Sequence, residues 1–227
     1  STITDDKESE FVTFGDADHI EQLNQDRIES AIENFRGSIL QVPSSVSAIK
    51  IDGERAYAKV RSGDEVKLAP RPVEITTFKI IDAPRLVIDG GRSFVDVNVQ
   101  VDCSSGTYIR ALARDLGEAL GVGGHLTSLR RTRIGNYNLE QSQPLDSLTK
   151  ESLAVLDISQ AAKQQFRTRA LSDQDVIDLR HGKRLKANGE GVEPYAGIDS
   201  AGNLIAMLTV SGKDVKSLVV FSEGGAE

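Results

Sequence analysis

With a single cysteine, Cys103, the chain has no internal disulfide framework and no thiolate cluster to hold zinc. Its three histidines, His19, His125 and His181, are widely separated in sequence, so a metal site has little to build on. No run of eighteen apolar residues occurs and no charged-then-apolar leader opens the chain, which makes a cytoplasmic address the expectation. A clear excess of basic charge is also missing, since the net charge is −7. That figure hides an uneven distribution. Residues 1–34 hold ten acids against two bases, a net of −8, which leaves +1 for the other 193 residues. Binding to a nucleic-acid backbone depends on local basic surface rather than on whole-chain charge, so an RNA partner is permitted. What is present, 39% hydrophobic and 27% charged residues over 227 positions, is ordinary for a globular protein of one large domain, or a large and a small one.

Residues 1–18 are acidic and weakly patterned, and read as a loop or edge segment. Asn24 is placed to cap a helix over Gln25–Arg36, with Ile28, Ala31, Ile32 and Phe35 on one face and Gly37 as its stop. Gln41–Arg71, with its prolines, serines, glycines and net charge of +2, reads as an excursion from the core with a short helix around Arg55–Arg61. Val73–Ile81 and Arg85–Ile88 have strand character, and Asp89-Gly90-Gly91 signals a hairpin. Val95, Val97, Val99, Val101 and Cys103 alternate with polar residues, the pattern of one strand with a buried and a wet face. Gly106 breaks that period. A helix over Tyr108–Leu120 follows, with Ile109, Leu112, Leu116 and Leu120 as its apolar stripe, and Leu126–Arg133 is a candidate helix or tight turn. From about Phe166 a second, small unit is expected. In it Ser172 caps a helix through Arg180, and strands at Tyr195–Asp199, Leu204–Val210 and Ser217–Phe221 form a small barrel or open sheet. The domain expectation is therefore 1–165 and 166–227.

Few residues suggest chemistry. Arg110 lies in the first turn of its helix, at the positive end of the dipole, where a cation is disfavoured. Either it pairs with a buried or substrate carboxylate, or it is a solvated arginine with Arg114 one turn on. Tyr108 suits a half-wet pocket or a packing seam. Arg130, Arg131 and Arg133 could fork onto phosphate or simply face solvent. His125 flanks a glycine turn and reads first as structural. The Gly121–Gly124 stretch is no phosphate loop, because it lacks the Lys-[ST] pair.

Several motifs in one order carry a resemblance. They are Gln41-Val42-Pro43-Ser44-Ser45-Val46-Ser47-Ala48-Ile49-Lys50, Gly53 with Tyr57, Arg71-Pro72-Val73, Cys103-Ser104-Ser105-Gly106-Thr107-Tyr108-Ile109-Arg110, and Gly121 to Leu126 with Leu129-Arg130-Arg131. This order resembles the bacterial TruB family, tRNA pseudouridine synthases acting on the uridine of the TΨC loop. It covers roughly residues 20–150, and the last sixty residues resemble, more weakly, the family's PUA-like RNA-binding domain in an actinobacterial-like form. The implied fold is α+β: a mixed, mostly antiparallel sheet with flanking helices, and a small β-rich C-terminal domain.

The implied reaction isomerises uridine to pseudouridine without cofactor or metal. The base is flipped out of its loop, an aspartate initiates glycosidic cleavage, and the ring rejoins through C5. On matching positions Arg110 would pair with the catalytic aspartate, Tyr108 would line the pocket and Leu129 would pack near the flipped base. Gln41–Arg71 would be the thumb that closes on the T-loop, and Lys50, Arg61, Arg71, His125, Arg130 and Arg131 the RNA contacts. The implied partner is tRNA through its T-loop and T-stem, with no membrane partner. Oligomerisation through an exposed sheet edge is a further expectation.

One departure is large. The family's nucleophile sits in a G-H-T-G-x-L-D-P stretch that these residues lack, and Asp146 in Gln143-Pro144-Leu145-Asp146 does not match it. Ser1 to Asp6 looks like the start of the segment that follows the family's base-stacking tyrosine. The expectation is a chain beginning partway through the catalytic domain and inactive alone. A non-catalytic RNA-binding or tRNA-chaperone module is the alternative, and a protein–protein module with a solvated charged face is a third reading.

Overall fold

The computed structural model describes residues 1–44, 50–51, 54–55 and 68–221. These fall into two units, Ser1–Leu129 and Arg130–Glu227.

In the first unit Asp16 accepts from the Asp18 N–H and opens one helical turn, α1 (Ala17–Glu21). The Asn24 side chain accepts from the Arg27 N–H at 2.9 Å and starts α2 (Gln25–Glu33), whose Ile28 and Ile32 are fully buried. The helix ends three residues short of the expected Arg36. Asn34 caps it, and Arg36 instead donates Nε–H to the Phe78 carbonyl at 2.9 Å.

Strand β1 (Gly37–Gln41) runs into the expected excursion. Two-residue strands β2 (Lys50–Ile51) and β3 (Glu54–Arg55) pair within it, so Arg55 is extended rather than helical, while Ala56–Arg61 lie outside the described residues. The excursion's first residues are not peripheral: Gln41 and Ser44 are 1% and 2% exposed.

Strand β4 (Arg71–Ile80) is the spine of the unit, antiparallel to β1 on one side and β7 (Val99–Cys103) on the other. The alternation from Val95 to Cys103 is therefore two strands rather than one. β6 (Arg92–Asp96) pairs with β5 (Arg85–Asp89) across the expected Asp89–Gly91 turn, and β7 pairs with β4. Val97-Asn98 is the hand-over. The Asn98 carbonyl accepts from the Ile81 N–H at 2.8 Å, and its side chain donates to Asp82 at 3.0 Å. Val95, Val97, Val99 and Val101 stay half-buried against the core, whereas Cys103 at the strand exit is exposed.

Helix α3 (Ile109–Ala119) buries Ala111, Leu112 and Gly117 and closes a core of Ile28, Ile32, Ile75, Phe78 and Leu112. After it, Leu126–Arg133 is neither helix nor tight turn. Leu126 makes a parallel bridge to Asp6, and its amide donates to the Asp5 carbonyl.

The second unit opens with a short hairpin, β8 (Arg133–Ile134) and β9 (Tyr137–Asn138). It then builds one five-stranded sheet from β10 (Thr168–Ala170), β11 (Leu185–Lys186), β12 (Tyr195–Ile198), β13 (Leu204–Ser211) and β14 (Asp214–Val220), in spatial order 10-12-13-14-11. Only the β10–β12 pair is parallel among the described strands. All four residues of β12 are buried because the sheet is covered on both faces. Ala162 of α4 (Ile158–Gln165) packs with Ala196, Ile198 and Leu204, and Leu179 of α5 (Asp173–Arg180) with Tyr195, Leu208 and Val215. Ser172 caps α5 as expected, in a reciprocal pair with Asp175. The molecule is thus mixed α and β with mostly antiparallel sheets and a β-rich C-terminal part. No described helix is long and apolar enough to cross a membrane.

Candidate active site

The turn from β7 into α3 is set by its own side chains. Ser104 pairs twice with Glu74 of β4, its N–H donating to the carbonyl at 2.8 Å and its Oγ accepting from the amide at 3.0 Å. Thr107 Oγ1 donates to the Ser104 carbonyl at 2.9 Å, and Gly106 takes φ +86°, a conformation that side-chain-bearing residues disfavour. Tyr108 is the N-cap residue of α3 yet supplies no capping side chain. The buried Gln41 of β1 instead grips the backbone of Tyr108 itself. Its Oε1 accepts from the Tyr108 N–H at 2.8 Å and its Nε2 donates to the Tyr108 carbonyl at 3.0 Å. One side-chain amide thereby fixes the start of the helix against the end of β1.

Arg110 follows in the first turn, and no acid accompanies it there. Its counter-charge comes from the N-terminal segment: Nη2 lies 2.7 Å from Asp6 Oδ2. Asp6 is itself held. Oδ1 accepts from Thr4 Oγ1 at 2.9 Å and from the Glu8 N–H at 3.0 Å, while the Asp6 carbonyl accepts from Thr2 Oγ1 at 2.7 Å. The Arg110 side chain is 44% exposed and that of Asp6 only 11%. Such a half-exposed pair stabilises a fold by about 0–1 kcal/mol. Its greater effect is to aim a guanidinium, with five N–H donors, along a defined direction at the mouth of the helix.

One turn on, Arg114 meets Asp5 at 3.2 Å and Asp115 at 2.7 Å, and donates Nη2–H to the Val42 carbonyl at 2.8 Å. Ser44 Oγ donates to the same Asp5 oxygen at 2.6 Å. Burial raises the Asp115 carboxyl from its ordinary value, and the neighbouring Arg114 opposes that shift. The expected loop or edge segment at 1–18 is largely loop, but Thr2, Asp5 and Asp6 are buried, and the two aspartates face α3.

Of the residues singled out from sequence, Tyr108 is half-buried at the helix mouth beside Arg110, whereas Leu129 is 59% exposed. Arg71 begins β4 and is exposed, Lys50 lies in β2, and Arg61 is outside the described residues. His125 stands edge-on to Phe11, with centroids 5.4 Å apart, and near Phe94. The three help line a cavity of about 330 Å³ with Phe14, Arg92 and Val122. Burial lowers the His125 pKa below its ordinary value. Arg130 and Arg131 belong to the second unit and are exposed. Asp146 sits in a single 3₁₀ turn, Leu145–Ser147. Gln41, Asp5, Asp6 and Arg114 are the site residues that sequence reasoning did not assign. A clue to three of them was available: the acidic pair Asp5-Asp6 near the N-terminus, and arginines four apart on one helix.

Comparison with known proteins gives a consistent match. Residues 1–109 match the TruB family pseudouridylate synthase N-terminal domain, 110–169 the tRNA pseudouridylate synthase B C-terminal domain, and 166–222 the tRNA pseudouridine synthase II C-terminal domain. The tRNA pseudouridine synthase B of Paenarthrobacter aurescens is 49% identical over 232 residues, covering 99% of this chain and 72% of that protein. That of Mycobacteroides abscessus is 46% identical over 221 residues, covering 97% and 71%. Among solved structures, a Cbf5-Nop10-Gar1 complex matches with TM-score 0.61 at 21% identity. An H/ACA RNP bound to a substrate RNA containing 2'-deoxyuridine matches with TM-score 0.62 at 20% identity. This chain spans 63% and 62% of those two chains, and at such identity the likeness carries the fold alone.

Proposed function

The chain belongs to the TruB family of pseudouridylate synthases, and from that premise we propose that its β7–α3 turn is part of a site that isomerises a T-loop uridine of tRNA to pseudouridine. The observation that carries this reading is Arg110, a half-exposed guanidinium at a helix N-terminus, aimed by the buried Asp6 at 2.7 Å. A reaction that begins at an aspartate needs that carboxylate ionised and oriented, and a guanidinium does both. The pair to Asp6 engages one nitrogen of Arg110, and the remaining donors are the ones proposed to hold the reacting carboxylate. Tyr108 is assigned the wall of the base pocket and Leu129 a packing contact to the flipped base. Arg71, His125, Arg130 and Arg131 are proposed RNA contacts, together with Lys50 and Arg61, and residues 166–227 a PUA-like RNA-binding module. No cofactor enters this proposal.

The G-H-T-G-x-L-D-P motif is not among these 227 residues, so the test uses the protein produced from its complete gene. Tritium release from tRNA transcripts carrying [5-³H]uridine reports the isomerisation. Release at the T-loop position is expected, and none at any enzyme concentration would overturn the proposal. Arg110→Ala should cost several orders of magnitude in rate with tRNA affinity within about threefold, as expected when a transition-state contact is removed. An unchanged rate would remove Arg110 from the site. Tight tRNA binding with no release from the complete protein would favour an RNA-binding or chaperone module.

A further inference from the structure

In extended backbone, successive side chains point to opposite faces. Asp5 departs from this with φ +58°, the only non-glycine residue with positive φ among those described. The consequence is that two adjacent carboxylates meet the same helix. Asp6 reaches Arg110 and Asp5 reaches Arg114, one turn apart on α3. A left-handed aspartate costs on the order of 1 kcal/mol, so its surroundings must hold it there. They do so through four contacts: Ser44 Oγ at 2.6 Å, Arg114 Nη1 at 3.2 Å, the Leu126 amide on the Asp5 carbonyl at 2.9 Å, and the Asp5 amide on the Thr2 carbonyl at 3.3 Å.

Arg114 is the common partner. Its side chain is 18% exposed, against 44% for Arg110, and it bonds the N-terminal turn through Asp5, the exit of β1 through the Val42 carbonyl, and its own helix through Asp115. Asp5 joins the same pieces from the other side, bonding Ser44 at the exit of β1 and Arg114 of α3 from within the turn. We propose that Arg114, clasped by Asp5, is a positioning residue: it sets the Thr4–Asp6 turn so that Asp6 orients Arg110, and it fixes the path of Val42–Ser44 out of β1. The inference rests on the function proposed above for Arg110 and adds a residue that touches neither base nor ribose. Three differently directed acceptors need the planar fork of arginine, and the single ammonium of lysine cannot reproduce them.

The test combines two measurements on Arg114→Lys and on the double variant Asp5→Asn/Arg114→Ala, which leaves no unpaired charge at position 5. The first is single-turnover tritium release, with tRNA affinity, in the protein from the complete gene. The expected result is a rate about tenfold lower or worse with affinity within twofold, since a displacement of an ångström in a reacting group can cost that much. The second is amide hydrogen exchange in the 227-residue chain, read at Leu126, which donates to Asp5, and at Lys7, which donates to Leu126. Protection should fall at both in each variant. A rate within twofold of wild type overturns the proposal, as does unchanged protection. A loss of affinity without a loss of rate also overturns it. If the wild-type protein releases no tritium, the functional reading fails, and the exchange data alone decide whether Arg114 holds the turn.

Discussion

At the scale of single residues, the molecule places charged groups where a fold alone would not. His125 shows this through pH. Burial lowers its folded-state pKa below the ordinary 6.5, with Asp96 and Asp6 opposing the shift. Between the folded value and 6.5 the unfolded chain therefore binds more protons, and stability rises with pH across that window. The contribution is complete above 6.5 and is lost as pH falls through the folded pKa. Urea midpoints measured from about pH 5 to 7.5 should climb more steeply in the wild type than in His125→Gln, and parallel curves would contradict the burial argument. Arg110 was legible from sequence because a cation in a helix's first turn is a local anomaly. Its pairing with Asp6 was not, although the acidic pair itself was visible. Nothing periodic marks Thr4-Asp5-Asp6, and the carboxylates reach arginines more than a hundred positions away. Gln41 was equally hidden, since a polar residue closing an alternating strand gives no sign that its amide will clamp another element's backbone.

At the scale of elements, α3 is held by what surrounds its glycine as much as by its apolar stripe. A Cβ added at Gly117 would lie 2.2 Å from the backbone of Gly123 and Gly124, whose loop folds back with the Val122 and Gly123 amides on the Gly117 carbonyl at 3.0 and 2.9 Å. Alanine is the better helix former by about 1 kcal/mol, but the clash is with backbone and cannot be relieved by a rotamer. Gly117→Ala should therefore destabilise by about 1–3 kcal/mol in chemical denaturation, and a stabilised variant would show that the loop moves freely. The elements were largely legible where caps and periods agree, as at Asn24, Ser172 and Gly106. They were misread where a period runs on while the partner changes: Val95 to Val101 keep one phase, yet the chain leaves β5 for β4 at Val97-Asn98. No one-dimensional pattern records such a change of partner.

At the scale of the whole molecule, a net charge of −7 coexists with membership in a family of RNA-modifying enzymes. The acidic excess lies in the first 34 residues, where two of the acids are already committed to Arg110 and Arg114. Affinity for tRNA should fall with salt as released counterions require. Replacing Arg130 and Arg131 by alanine should make the dependence of log K on log salt shallower, by roughly one in slope for each phosphate no longer neutralised. An unchanged slope would mean that neither arginine reaches the RNA backbone. The Asp5–Arg114 pair also has a temporal meaning. Its partners are separated by 109 residues, so during synthesis the pair can close only after Arg114 is made, and before then Asp5 can draw only on nearer groups such as the Thr2 carbonyl and Ser44. Such a contact carries the loop-closure entropy of a long intervening chain, a cost that grows only with the logarithm of its length.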